Sequence, residues 1–325
     1  MSFQGENVNI RPALLFLLSL IALPDANAAT ARCLYVSSYH AGYEWNDGIE
    51  RGLKPHLAGK CELKSFYMDG KRQLGAGFAK AKALEAKELI DTWKPDIVIA
   101  ADDNASKYLV MPYLKDSETP VVFCGINWTA KPYGYPYQNA TGMIEVGPIE
   151  ALAGEVRTVV KDARRGAFLS ADEITQHKEF AKSWEINGRL GIKMTHIAVR
   201  SMADWEAGFS KAQETADFVV IGNYAGIADW DANRARRYVL EHGRRFTVAY
   251  LEWMAPYAML SMAKIADEQG EWAGKVAALI LDGTPPSRIP VVANRRWNMY
   301  VNPKLLAKAG FHLSPQLLRK AVKVE

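Results

Sequence analysis

The chain has 325 residues, of which 49% are hydrophobic and 23% charged, with a formal net charge of +4 at pH 7. That composition supports a large buried core without low-complexity stretches, and at roughly 100–200 residues per domain it allows two domains. The small charge, with no run of five Lys/Arg and no aromatic–basic ladder, argues against nucleic acid as a partner.

Residues 13–23 read ALLFLLSLIAL, an apolar run behind Arg11 that is followed by the small-residue triplet Ala26-Asn27-Ala28. This is the pattern of a cleaved signal peptide over residues 1–28, with Ala29 as the first mature residue. The run is shorter than the roughly 20 residues of a membrane helix. With no cysteine at the cleavage site, a soluble periplasmic protein without a lipid or membrane anchor is expected.

Strand and helix then alternate. The sequence predicts strands at 33–39, 62–68, 96–101 and 120–124, with helices at 45–57, 78–93 and 103–116 between them. Runs such as DIVIAA (96–101) and PVVFC (120–124) are apolar without alternation, as suits parallel strands buried on both faces. Residues 125–148 break the rhythm with Gly, Pro, Tyr and Asn, and MIEV within them reads as a crossing strand. The alternation resumes with helices at 149–162, 172–189, 204–215 and 229–242, and strands at 166–170, 194–200, 217–222 and 246–251. A helix at 268–282, a strand at 289–301 and a helix at 303–309 complete the pattern.

Strands separated by helices imply right-handed βαβ units. Two such series give an α/β fold of two doubly wound, Rossmann-like lobes with several hinge crossings, the type I periplasmic-binding-protein architecture. The first lobe would cover 29–146 and be completed by part of the segment at about 256–325, and the second would cover 147–255. Ligands of open α/β sheets sit beyond the C-terminal strand ends, so the site is the cleft between lobes.

Particular segments carry a resemblance. SSYHAGYEWNDGIERGL (37–53), PDIVIAADDNASKYLVMPYLKDSETPVVFCGIN (95–127), NATGMIEV (139–146), EQGEWAGKVAALILDGTPPSRIPVV (268–292) and VNPKLLAKAGFHLSPQLLRKA (301–321) resemble, in order, the ABC-transporter substrate-binding proteins. The resemblance implies a small-molecule binder that delivers its ligand to an importer permease. Some relatives serve as extracytoplasmic sensor modules, so a sensor subunit signalling to a receptor kinase or cyclase is the alternative. An amino acid or small aromatic compound is the expected ligand, and the protein is expected to act as a monomer. One departure is CGIN after the fourth strand, where aromatic-amino-acid binders of the wider group tend to carry Asp-Pro.

The candidate ligand residues follow from strand ends. In the first lobe they are Ser38, Tyr39, His40, Tyr43 and Trp45 in the loop after the first strand, where a helix start favours an anionic group. Asp102 and Asp103 follow the third strand, Asp103 as the candidate helix cap and Asp102 as a partner for a ligand ammonium or hydroxyl. Asn127 and Trp128 follow the fourth. In the second lobe the candidates are Ser170, Arg200 as a carboxylate fork, Asn223, Tyr224, Glu252 and Trp253. Each has a plain alternative in loop packing, capping or surface exposure. Trp45, Trp128, Trp230 and Trp253 fall in or near loops, and some of them should line an aromatic cleft.

Cys33 and Cys61 each open a strand, where adjacent parallel strands bring Cα atoms near the ~5.5 Å a disulfide needs. They are a candidate disulfide; alternatively both are small apolar residues, with Cys124 free and buried. No CxxC, HExxH, GxSxG or Walker loop is present, and the six histidines lack the i,i+4 spacing of a helical metal site. No cofactor, metal or catalytic residue is expected, and His196 reads as a core residue within its strand.

Overall fold

The computed structural model describes residues 1–2 and 30–325. The apolar run at 13–23 and the cleavage site expected after Ala28 lie outside the described residues, and Ala31–Glu325 fold together as one unit.

Among the described residues, thirteen strands form two sheets. The first contains β1 (Ala31–Ser37), β2 (Cys61–Tyr67), β3 (Ile97–Ala101), β4 (Val121–Asn127) and β5 (Ala140–Glu145). The second begins with β6 (Arg165–Ala171), β7 (Lys193–Val199), β8 (Phe218–Ile221), β9 (Phe246–Ala249) and β10 (Leu260–Lys264). The chain then returns to the first sheet with β11 (Val292–Ala293) and ends in the second with β12 (Trp297–Val301) and β13 (Val322–Lys323). The orders are β11-β5-β4-β3-β1-β2 and β13-β12-β10-β9-β8-β6-β7. Pairing is parallel except between β10 and β12, which run antiparallel.

The first sheet shows why its strands read as unbroken apolar runs. Leu34, Val36, Val98, Ala100, Val121 and Phe123 face one hydrophobic cluster. Their neighbours Cys33, Tyr35, Ile97, Ile99, Val122 and Cys124 face another, so both faces are covered. On that second face, helix Glu44–Leu57 lies against helix Ala266–Leu281. Glycines set the separation: a Cβ on Gly270 would stand 1.9 Å from the Ile49 carbonyl oxygen, and one on Gly52 would stand 2.2 Å from that of Asp267. Arg51 then grips Asp267 with both Nε and an Nη, at 2.6 and 2.7 Å. Cys33 and Cys61 are joined by a disulfide with Cα atoms 5.9 Å apart, and Cys124 is free and buried.

Within Ala31–Glu325 the chain crosses between lobes three times: at 146–148, at Ile265 and at 294–296. Of the stretch 256–325, only Ala266–Ala293 joins the first lobe, while β10 and the last two strands belong to the second sheet. The single strand predicted at 289–301 is therefore two strands serving different lobes. Polar side chains hold the crossings side by side. The Asn294 amide accepts from the Val146 N–H at 2.7 Å and donates to its carbonyl at 3.1 Å. Glu268 accepts from the Arg295 and Arg296 N–H groups, both at 2.9 Å.

Candidate functional site

The C-terminal ends of the strands from both lobes meet in one cleft. From the first lobe come Tyr39, Tyr43 and Trp45 after β1, Asp102 after β3, Asn127 at the end of β4 and Glu145 at the end of β5. From the second come Thr175 and Gln176 beyond β6, Asn223 beyond β8, Trp253 beyond β9 and Lys264 at the end of β10. The lobes are closed on one another, leaving room for the centres of water-sized molecules over only about 30 Å³.

Direct contacts across the cleft hold that closure. The Asn223 amide donates to the Tyr43 hydroxyl at 2.6 Å, and Tyr224 donates to Glu44 at 2.8 Å. Lys71 reaches from the loop after β2 to Glu173 at 2.8 Å and to the Thr175 hydroxyl at 2.9 Å. Its ammonium also lies 4.6 Å from the centre of the Tyr39 ring. Lys178 donates to Asp103 at 2.6 Å and to the Tyr133 hydroxyl at 3.0 Å. The Trp253 indole donates to Asn223 at 3.2 Å, and its ring centre lies 5.9 Å from that of Tyr43 and 6.5 Å from that of Trp45.

Two groups of charge define the floor. Lys264 lies between Glu145 and Glu179 and bonds both; all three are buried. Glu179 also accepts from the Trp128 indole at 3.2 Å. Burial pushes the Glu145 carboxyl up to about 7, with Glu179 and Asp103 adding to the rise and Lys264 opposing it. Burial also opposes the charge on Lys264, but its two carboxylates outweigh that and hold it well above its ordinary value. The second group is Asp102, 1% exposed, with φ +72° and with its Oδ2 lacking any hydrogen-bond partner among the described residues. Burial, then Glu145, then Asp103 raise its carboxyl well above the usual range, and Lys71 only partly offsets them. The Trp45 indole N–H is also buried and makes no full hydrogen bond among the described residues, but it lies near enough to Asp102 to offset a small part of that rise. Gly125, at φ +71°, makes room for this carboxylate, because a Cβ there would stand 3.0 Å from Asp102 Oδ1.

The structure places the sequence-predicted residues unevenly. Tyr39, Tyr43, Trp45, Asp102, Asn127, Asn223 and Trp253 line the cleft. Asp103 bridges the lobes and accepts from Tyr133 at 2.7 Å; neither it nor Asp102 caps a helix. Ser38 is a structural pin, donating to the Ala101 carbonyl at 2.6 Å and accepting from the Ala105 N–H at 2.8 Å. His40 and Tyr224 lie at the cleft mouth, where Tyr224 stacks on Trp230 with ring centres 4.8 Å apart. Trp128 buttresses Glu179, and Trp230 packs against the second-lobe core.

Three candidates depart from the expectation. Arg200 is 79% exposed and holds Asp172 at 2.6 Å, because β7 is the outer strand of its sheet and ends away from the cleft. Glu252 is exposed at the start of a 3₁₀ turn, which directs its neighbour Trp253 inward instead. Ser170 is fully buried and bonds His196 Nε2 at 3.0 Å, beneath the cleft floor. His196 stacks on Phe180, and burial with the neighbouring His177 lowers it to about 4. In the loop ahead of the helix after β1, the Gly42 N–H is taken by Asp47 at 3.0 Å.

Sequence reasoning misses Lys71, Glu145, Thr175, Gln176, Glu179 and Lys264. The one signal available to it is the acid Glu145 within MIEV at a lobe crossing. Lys264 lies on a strand, LSMAK, that the pattern of the sequence does not predict.

Comparisons with known proteins agree with this geometry. The chain resembles the structure of a conserved domain protein from Vibrio cholerae at TM-score 0.71 and 14% identity, over 91% of this chain and 100% of that one. It resembles an ABC domain in complex with L-Trp from Streptococcus pneumonia at TM-score 0.68 and 15% identity, over 90% and 100%. The leucine binding protein LivK from Thermotoga maritima aligns at TM-score 0.57 and 11% identity, over 78% and 83%. These likenesses show the type I periplasmic-binding-protein fold. No curated protein matches the chain significantly. The family profile described as ABC transporter substrate binding protein matches residues 35–325. The chain therefore belongs to the ABC transporter substrate binding protein family.

Proposed function

We propose that the protein is exported through its N-terminal signal sequence, closes its lobes around a small ring-bearing molecule with an amino group, and presents the closed form to an ABC importer. The observation that carries the ligand reading is the buried Asp102 carboxylate with an unpartnered oxygen in a cleft walled by Tyr39, Tyr43, Trp45 and Trp253. A ligand N–H₃⁺ would satisfy that oxygen, and the rings would exclude water around it. Family membership supports delivery to a permease, and the apolar run at 13–23 supports export.

Hinge closure is the mechanism. Contacts such as Asn223 with Tyr43 and Lys71 with Glu173 form only when the lobes meet, so they add to closure. The test is a thermal-shift panel on residues 29–325, unfolded and refolded to strip carried-over ligand. Aromatic amino acids, aromatic amines, sugars and nucleosides would each be supplied in excess. A ligand at 100 times its Kd adds about 2.7 kcal/mol, and roughly 2–4 °C per kcal/mol is expected for domains of this size. Shifts confined to ring-bearing amino compounds are expected. Shifts from sugars alone, or from none of these compounds, would overturn the ligand reading.

A further inference from the structure

Resting on the reading of this cleft as a site for an amino compound, we infer that its ligand is a net cation, an aromatic amine without a carboxylate, and not a zwitterionic amino acid. The argument begins with how the buried charges are used. Lys71 is committed to Glu173 and Lys178 to Asp103, so those pairs are neutral. Lys264 serves two carboxylates, Glu145 and Glu179, so one of them lacks a cation of its own, and burial pushes Glu145 up to about 7. Asp102 is a third carboxyl with no cation bonded to it among the described residues; at 1% exposure with Oδ2 unpartnered, burial makes it keep its proton until a cation arrives. A ligand ammonium can take the place of the proton on Asp102, whereas a ligand carboxylate would set a further acid against these carboxyls in a water-poor space where charges act strongly.

The cationic groups that could hold a carboxylate are engaged or absent: Lys71 and Lys264 are bonded to the protein's own carboxylates. No arginine is among the described residues lining the cleft. Arg200, the sequence's best candidate for that role, stands outside on Asp172. Two N–H groups beside the cleft are taken by the protein's own carboxylates: that of Gly42, ahead of the helix at Glu44, by Asp47, and that of Thr175 by the Glu173 side chain at 3.0 Å. Beyond β8, the Gly222 N–H binds the Leu169 carbonyl at 2.7 Å and the Asn223 N–H binds Gln176 at 2.8 Å. The aromatic rings that remain, Trp45 and Trp253 with Tyr39 and Tyr43, suit a cation with an aromatic body.

Calorimetric titration of the refolded protein with tryptamine, tyramine and phenethylamine, each beside its parent amino acid, decides the matter. The expected result is that at least one amine binds tenfold or more tighter than its amino acid. Asp102→Asn, checked for fold by circular dichroism, should weaken that amine at least tenfold. An amino acid that binds as tightly as its amine, or tighter, overturns the inference while leaving the cleft reading standing. Failure of all six compounds to bind overturns both. A folded Asp102→Asn protein with unchanged amine affinity also overturns the inference, and the wild-type comparison decides without the variant if that substitution prevents folding.

Discussion

Replacing Lys264 with Met tests the charge arrangement of the cleft floor. Met has nearly the length of the lysine stem, so the substitution removes the ammonium while leaving little cavity. What remains is Glu145 facing Glu179 with both buried and no cation between them. Removing one partner of a buried ion pair costs about 3–5 kcal/mol, because the other charge is left uncompensated. That cost should depend on pH, since a proton can take the place of the ammonium. In the wild-type protein Glu145 already sits at about 7 against an ordinary 4.5. Its folded form therefore holds a proton more tightly than its unfolded form, so its contribution to stability falls as pH rises from about 4.5 to 7 and is level above. That span amounts to about 3 kcal/mol at 1.36 kcal/mol per unit. Without Lys264 the carboxyl moves higher still, so at pH 5.5 it is neutral and can donate to Glu179. Urea unfolding followed by tryptophan fluorescence should show a deficit of about 3–5 kcal/mol at pH 8 and less than half of that at pH 5.5. Adding Glu145→Gln should recover most of the loss at pH 8. A deficit under about 1 kcal/mol at pH 8, or one that is equal at both pH values, would refute the reasoning.

Other perturbations separate the remaining parts. Replacing both Cys33 and Cys61 with Ala opens a cross-link of sequence separation 28. Chain entropy puts that loss at about 3.6 kcal/mol, measurable as a lower urea midpoint that reductant no longer moves. Gly125→Ala forces φ +71° on a residue with a Cβ and presses on Asp102, so it should cost about 1–2 kcal/mol and weaken ligand binding in titration. Arg200→Ala should leave ligand affinity unchanged and stability within about 1 kcal/mol, because its pair with Asp172 is exposed; a large affinity loss would return Arg200 to the site.

Much of the fold is legible because it rests on burial, and burial leaves a pattern along the chain. Strands covered on both faces must be apolar at successive positions, as at Ile97–Ala101 and Val121–Phe123, and the helices between them fix parallel pairing. Once the strands are ordered, the residues after β1, β3 and β8 lie at one edge, and so Tyr39, Asp102 and Asn223 can be named from the sequence. Arg200 obeys the same rule and fails, since the rule does not say which strand lies at the sheet's margin.

By itself the sequence determined the two-lobed architecture and pointed to strand ends for the site, and it offered Cys33 and Cys61 as a candidate disulfide without deciding it. Only the tertiary structure decided which charges meet. Lys71, Glu145, Glu179 and Lys264 are unremarkable in a linear sequence, where each could be a solvated surface residue. They become a site because folding removes them from water together, and the energy of a buried charge depends on its neighbours in space. The order of return was decided in the same way. Val292–Ala293 and Trp297–Val301 read as one strand, but the asparagine and two arginines between them lie along the hinge, where Asn294 binds Val146 and Glu268 holds the arginine N–H groups.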